Sequence, residues 1–164
     1  MKKLNFCCGN DIRKGWDNQD IQEKEGIISF DANKFPYPIR DSIYDYIEVK
    51  QAIQCLDDPE KVLYELRRIA KPNAIIHIVV SWWHNKGAYN DIQTKHWFNE
   101  NSFIMFANQN FPYLLSQKPI FKIIKLEKLP TKIGIFIPSW LREKMDLFIG
   151  GLISDMNIEL KVIK

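Results

Sequence analysis

The side chains able to do chemistry are few. His84, Asp91 and His96 follow the β-branched run at 74–80, and each carries a group that can act as a general base. The third histidine, His77, lies within Ile-Ile-His-Ile and reads as structural. Cys7, Cys8 and Cys55 are odd in number and contain no CxxC pair, so they build neither a disulfide framework nor a zinc ribbon. A reducing, cytoplasmic compartment is expected. No metal-ligand spacing occurs, and no glycine-rich loop with a lysine for nucleotide phosphates.

These groups need a scaffold, and the chain supplies one in alternating elements. Residues 4–8 read as a short buried strand running into the turn signal Gly9-Asn10-Asp11. Residues 16–21 and 26–30 are further candidate strands, the second ending at Asp31. Two prolines make 33–42 a loop. A strand at 44–49 follows. Asp57-Asp58-Pro59 then opens a helix whose apolar positions Val62, Leu63, Leu66, Ile69 and Ala70 recur at helical spacing and stop at Lys71-Pro72-Asn73. The run at 74–80 reads as a central parallel strand buried on both faces, and strand, helix and strand together imply a right-handed crossover.

Later, a helix starting at Asn101 or Ser102 and ending at Asn108 is followed by a strand at 121–126. Leu141, Met145, Phe148, Ile149, Leu152 and Met156 then line one helical face, which Gly150-Gly151 weakens by roughly 1 kcal/mol per glycine. Residues 158–162 alternate as a closing strand. With 164 residues, 46% hydrophobic and 26% charged, the composition suits one α/β domain over 1–164. Its 23 basic and 20 acidic side chains leave +3, too weak a field for a nucleic-acid groove. The opening apolar run is too short for a signal peptide, and charges at Arg142, Glu143, Lys144 and Asp146 interrupt the later ones, so no membrane span is expected.

Leu4-Asn5-Phe6-Cys7-Cys8-Gly9-Asn10, then Asp20, Asp31, Asp45, Leu56-Asp57-Asp58-Pro59 and Glu65-Leu66-Arg67-Arg68-Ile69-Ala70-Lys71-Pro72-Asn73 resemble the class I S-adenosylmethionine-dependent methyltransferases, in a small form with an abbreviated start. Asp91, Lys95, His96, Phe98, Ser102 and Phe103 resemble a segment that follows the fifth strand in that family. The resemblance implies a Rossmann-like, mostly parallel sheet of about seven strands with reduced helical cover and an antiparallel last strand. It also implies S-adenosylmethionine as cofactor, S-adenosylhomocysteine as product, and methyl transfer to an oxygen or nitrogen. Cofactor-binding residues would be Cys7, Gly9, Asp20, Asp31 and Ala32. Asp20 would accept from the ribose hydroxyls and Asp31 from the adenine amine, backbone at Ala32 would read the ring edge, and Phe35 or Ile53 would touch the purine. Catalytic candidates are His96, Asp91 and His84, with Trp82-Trp83 as an apolar wall. No Asn-Pro-Pro-Tyr or Asp-Pro-Pro-Tyr motif points to nucleic-acid bases as acceptors.

The family's first motif has an acid followed by Gly-x-Gly, and here those positions are Asn5, Cys7 and Gly9. Gln51, Gln54 and Cys55 replace a common His-x-x-Glu-His. A catalytically inactive binding or assembly module is therefore the rival reading, and a dinucleotide binder a weaker one, since one glycine does not make Gly-x-Gly-x-x-Gly. Only 10–15 and 22–25 separate the first three strands, too short for covering helices, and a hairpin between the second and third strands is an alternative from spacing alone. In parallel order one sheet face lacks its helices, and burying it calls for a homodimer or another partner. Residues 133–141, with Ser139 as a helix cap, are the candidate cover or interface, an intramolecular cap being equally open. Glu143 and Asp146 disfavour a membrane contact there.

Overall fold

A computed structural model describes residues 1–109 and 118–164. Seven strands form one sheet: β1 (Lys3–Phe6), β2 (Asp17–Asp20), β3 (Ile27–Ser29), β4 (Tyr44–Lys50), β5 (Ala70–Ser81), β6 (Phe121–Pro130) and β7 (Ile153–Val162). Their order is β3-β2-β1-β4-β5-β7-β6. The first five run parallel, and β7 is antiparallel to both its neighbours. The second and third strands thus pair in parallel rather than as a hairpin. Helices α1 (Pro59–Ile69), α2 (Glu100–Asn108) and α3 (Ser139–Ile149) complete the described elements, with short 3-10 turns between them. None of these helices is long and apolar enough to cross a membrane.

Local chemistry sets the boundaries. The Asp58 carboxylate accepts from Lys61 N–H at 3.0 Å, and Pro59 occupies the first turn of α1, where its missing N–H costs nothing. The helix stops at Ile69, and β5 begins at once, four residues earlier than the apolar run suggests. Asn73, within β5, holds a left-handed φ of 65° that asparagine tolerates better than most residues. α3 ends at Gly150, so Leu152 and Met156 leave the expected helical face for the turn and β7. Pro138 rather than Ser139 stands at the cap position of α3, and no side chain caps it.

Burial alternates along β5 from Ala74 and along β7 from Met156. One face carries Leu4, Phe6, Ile47, Val49, Ile76, Ile78, Val80, Ile158, Leu160 and Val162, all essentially inaccessible, beneath the buried sides of α1 and α2. At roughly 1.5–3 kcal/mol per large apolar side chain removed from water, this layer is the principal source of stability. The other face of β5 is only half-buried at Ile75, His77 and Val79. The expectation of burial on both faces is corrected here, because no helix follows β1 or β2 to provide the second layer.

That bare face is polar, which removes the reason to expect a second copy on it. Glu48 sits at its centre, paired with Arg13 at 2.6 Å, Lys50 at 3.1 Å and His77 Nδ1 at 3.1 Å, while His77 Nε2 meets Asn157 Oδ1 at 2.5 Å. Burial works to raise the Glu48 carboxyl, and the hydrogen bonds from His77, Lys50 and Arg13 outweigh it, holding the group below its ordinary value. Trp16 packs edge-on against Tyr46 at 5.7 Å, with Lys3 and Arg13 each 5.0 Å from its ring. Away from this face, exposed apolar side chains are concentrated on 133–149, at Ile133, Ile135, Phe136, Trp140, Leu147, Phe148 and Ile149.

Candidate functional site

β2 reads Asp-Asn-Gln-Asp, an odd composition for an inner strand, and each side chain is used. Asp17 accepts from the Tyr44 hydroxyl at 2.8 Å. Asn18 accepts from Arg13 N–H at 2.9 Å and donates to the Arg13 carbonyl at 3.0 Å, while Asn5 donates to the Asp11 carbonyl at 2.6 Å. These amides hold the short β1–β2 connection where a helix would otherwise stand. Gln19, fully buried, accepts from Cys7 N–H at 3.1 Å and donates to the Phe30 carbonyl at 2.8 Å, tying the ends of β1 and β3 together. Sequence reasoning missed Gln19; the signal available was a strand made wholly of polar residues, which folding tolerates only when each is bonded.

At the carboxyl ends of β1, β2 and β4 lies a cleft of about 460 Å³. Asp20 enters it from β2. Its Oδ2 accepts from Gly9 N–H at 2.8 Å and Oδ1 from Gln22 N–H at 3.2 Å, so one carboxylate fixes the turn after β1 and the turn after β2. Each oxygen retains a second lone pair. Gly9 holds φ 55°, and a Cβ built there would meet no atom within 4 Å; the backbone conformation, rather than crowding by protein, calls for glycine. Asp31 closes another wall, with Oδ1 accepting from Asn33 N–H at 2.9 Å. Beside it the Ala32 carbonyl accepts from the Tyr37 hydroxyl at 3.0 Å.

Cys7 also lines the cleft. Its φ of 51° is left-handed, so the chain retains a glycine-like conformation while adding a thiol. Burial, and then the Asp20 carboxylate, push that thiol far above its ordinary value and keep it protonated. Cys55 is raised likewise, by burial first and Asp91 second. The expected purine contacts fall away from this space. Ile53 is wholly buried in the core, and Phe35 stacks on Tyr37 at 5.4 Å; the apolar lining is Ile21, Ala52 and Leu56 instead.

The catalytic candidates separate. Asp91 lines the cleft, with Oδ1 accepting from Gln93 N–H at 2.9 Å. The Gln54 carbonyl accepts from both Lys95 N–H and His96 N–H, at 2.9 and 3.0 Å, and Lys95 pairs with Asp57, so this loop is fastened over the cleft mouth. His96 faces an adjoining pocket of about 330 Å³ with Phe98, Phe103 and Leu63; its Nε2 is buried without a hydrogen-bond partner among the described residues. His84 lies in a different groove, stacked on Trp83 at 4.8 Å. Trp82 is buried and donates to Asp146 at 2.7 Å, a packing role rather than a wall over the cleft. Among the described residues no group of three or more His, Cys, Asp or Glu could hold a metal ion.

The family described as methyltransferase domain matches residues 4–78, which contain β1 to β4, α1 and most of β5. The chain shares the Rossmann-like fold of solved methyltransferases. A SAM-dependent methyltransferase from Archaeoglobus fulgidus superposes with a TM-score of 0.69 at 16% identity, over 98% of this chain and 86% of that one. A putative methyltransferase from Bacillus halodurans gives 0.66 at 10%, over 99% and 93%. A [4+2]-cyclase, SpnF, gives 0.65 at 11%, over 99% and 74%. No curated protein matches the chain in sequence. Against the methyltransferase pattern, Asn5 is buried and bonded internally, while Gln51 donates to the Asp155 carboxylate at 2.7 Å and accepts from Gln54 at 2.9 Å, an amide pair where the resemblance has ionisable groups.

Proposed function

We propose that the chain is an S-adenosylmethionine-dependent methyltransferase acting on an oxygen or nitrogen nucleophile. The observation that carries this reading is the meeting of Asp20, Asp31, Ala32 and Cys7 around one cleft at the carboxyl edge of a parallel sheet, where such folds bind nucleosides. The volume of about 460 Å³ lies within the range of roughly 300–1,000 Å³ common to small-molecule sites. When bound, the cofactor supplies an electrophilic methyl group on a sulfonium. Asp20 uses its remaining lone pairs for the ribose hydroxyls and Asp31 accepts from the adenine amine. Asp91, on the fastened loop, takes the acceptor's proton, and His96 contacts the acceptor from the adjoining pocket. His84 has no part in this assignment, since it sits in another groove. Every residue invoked comes from one chain.

Calorimetric titration with S-adenosylmethionine and S-adenosylhomocysteine tests the reading. Saturable binding by wild type, lost in Asp20→Ala, is expected. Absence of heat with folded protein would favour the inactive-module reading, which Asn5 and the Cys7 thiol support as the two departures nearest the cleft.

A further inference from the structure

Helix α3 is built inside out. Its one buried residue is Asp146, 2% exposed, whose carboxylate accepts from Trp82 Nε1–H at 2.7 Å, Leu152 N–H at 2.9 Å and Ile153 N–H at 3.3 Å. Fixing Asp146 inward turns the opposite stripe outward, and that stripe is apolar: Trp140, Leu147 and Phe148 stand in solvent, Phe148 at 87% exposure. The turn before the helix adds Ile133, Ile135 and Phe136, the last at 86%. This turn is pinned rather than loose. Gly134 lies so close to the Leu152 carbonyl that a Cβ would approach it to 2.0 Å, Thr131 donates to the Gly151 carbonyl at 2.9 Å, and Arg142 donates to the Gly134 and Ile137 carbonyls at 2.8 and 2.9 Å.

The charges around the patch are sorted by sign. Of the two acids of the helix, Asp146 is removed from the outer side by burial, while Glu143 stays exposed on the flank of the helix and is ion-paired with Lys128 at 3.0 Å. The objection to a membrane contact that the sequence raised therefore falls away for Asp146, and at Glu143 it is met by the paired Lys128. Lys144 is exposed between Trp140 and Phe148 at helical spacing, and Lys132 and Lys86 flank a groove of about 550 Å³ whose other walls include Ile133 and Ile149. Projecting aromatic and branched side chains interleaved with lysines suit the boundary between headgroups and acyl chains. A protein partner of matching chemistry would have to present a recess for each side chain; a lipid surface needs none.

We propose that this face docks the protein on an anionic lipid surface. Ser81 pairs with Asp155 and Pro130 with Ile153, so α3 leaves the sheet at the same carboxyl edge as the cleft, and a protein docked through it turns that edge toward the bilayer. The proposal stands without any assumption about the cofactor.

Co-sedimentation of the full chain with phosphatidylcholine vesicles, with and without phosphatidylglycerol, tests it. Binding roughly thirtyfold tighter to the anionic vesicles is expected. The double variant Phe136→Ser with Phe148→Ser loses roughly a hundredfold in affinity with an unchanged melting temperature, since neither ring supports the core. Lys132→Glu with Lys144→Glu abolishes the preference for phosphatidylglycerol. Failure to sediment with either vesicle overturns the proposal. If the wild type instead forms a dimer that the phenylalanine variant dissociates, the face is an interface between copies and the lipid assignment is wrong.

Discussion

At Cys7 the chain holds a left-handed backbone that glycine would adopt freely, and directs a thiol into the cleft. Replacing it with glycine relieves strain of about 1–2 kcal/mol but also loosens the unfolded chain, so stability should change by less than about 1 kcal/mol. Cofactor affinity should rise, because the volume of the thiol is returned to the ligand. A calorimetric comparison of wild type and Cys7→Gly checks both effects; weaker binding by the variant would mean that Sγ contacts the ligand favourably. At Asp20, substitution by asparagine keeps the shape but replaces one acceptor oxygen by a donor facing Gly9 N–H or Gln22 N–H. Loss of a charged acceptor costs about 1.5–3 kcal/mol, or roughly ten- to a hundredfold in affinity for S-adenosylhomocysteine. Asp20 and Asp31 could be singled out in the sequence because the resemblance sets one at the end of the second strand and the other just past the third. Gln19 was legible only as one member of an all-polar strand, since nothing local distinguishes a buried bridging amide from a surface one.

Two elements are fixed by side chains that reach across the fold. α1 is clamped to the loop after β3 by Glu65, which accepts from Tyr37 N–H at 2.8 Å and from Arg68, while Arg68 donates to the carbonyls of Ile39 and Tyr37. The hydrogen bond from Arg68 holds the Glu65 carboxyl below its ordinary 4.5. A depressed folded value means that this stabilisation is fully present above pH 4.5 and is lost as pH falls through the lower folded value. Urea unfolding across that acidic range should show a fall in stability that Glu65→Gln flattens. α3 depends on Asp146 in the same way. Asp146→Ala leaves three donors without their acceptor and should cost about 3 kcal/mol, lowering the melting temperature by roughly 10 °C in a scanning calorimeter. The periodicity of α1 is plain in the sequence because its inner face is apolar. α3 misleads, since its apolar stripe reads as a core face when the inward residue is an aspartate.

For the molecule as a whole, the parallel order of the first three strands followed from family resemblance, not from spacing, and the amide-laced β1–β2 connection shows how two strands can run parallel without a crossover helix. The missing layer was legible; its chemistry was not. Glu48, His77 and Asn157 lie on three different strands, and only their register reveals a polar face needing no cover. The function proposed above places the nucleoside of S-adenosylmethionine in the carboxyl-edge cleft. Hydrogen–deuterium exchange with saturating S-adenosylhomocysteine measures this residue by residue. Protection should concentrate in the amides of 7–11, 20–22, 31–33 and 51–56, the segments that bound the cleft. Unchanged exchange there, or protection confined to another part of the fold, would contradict the account.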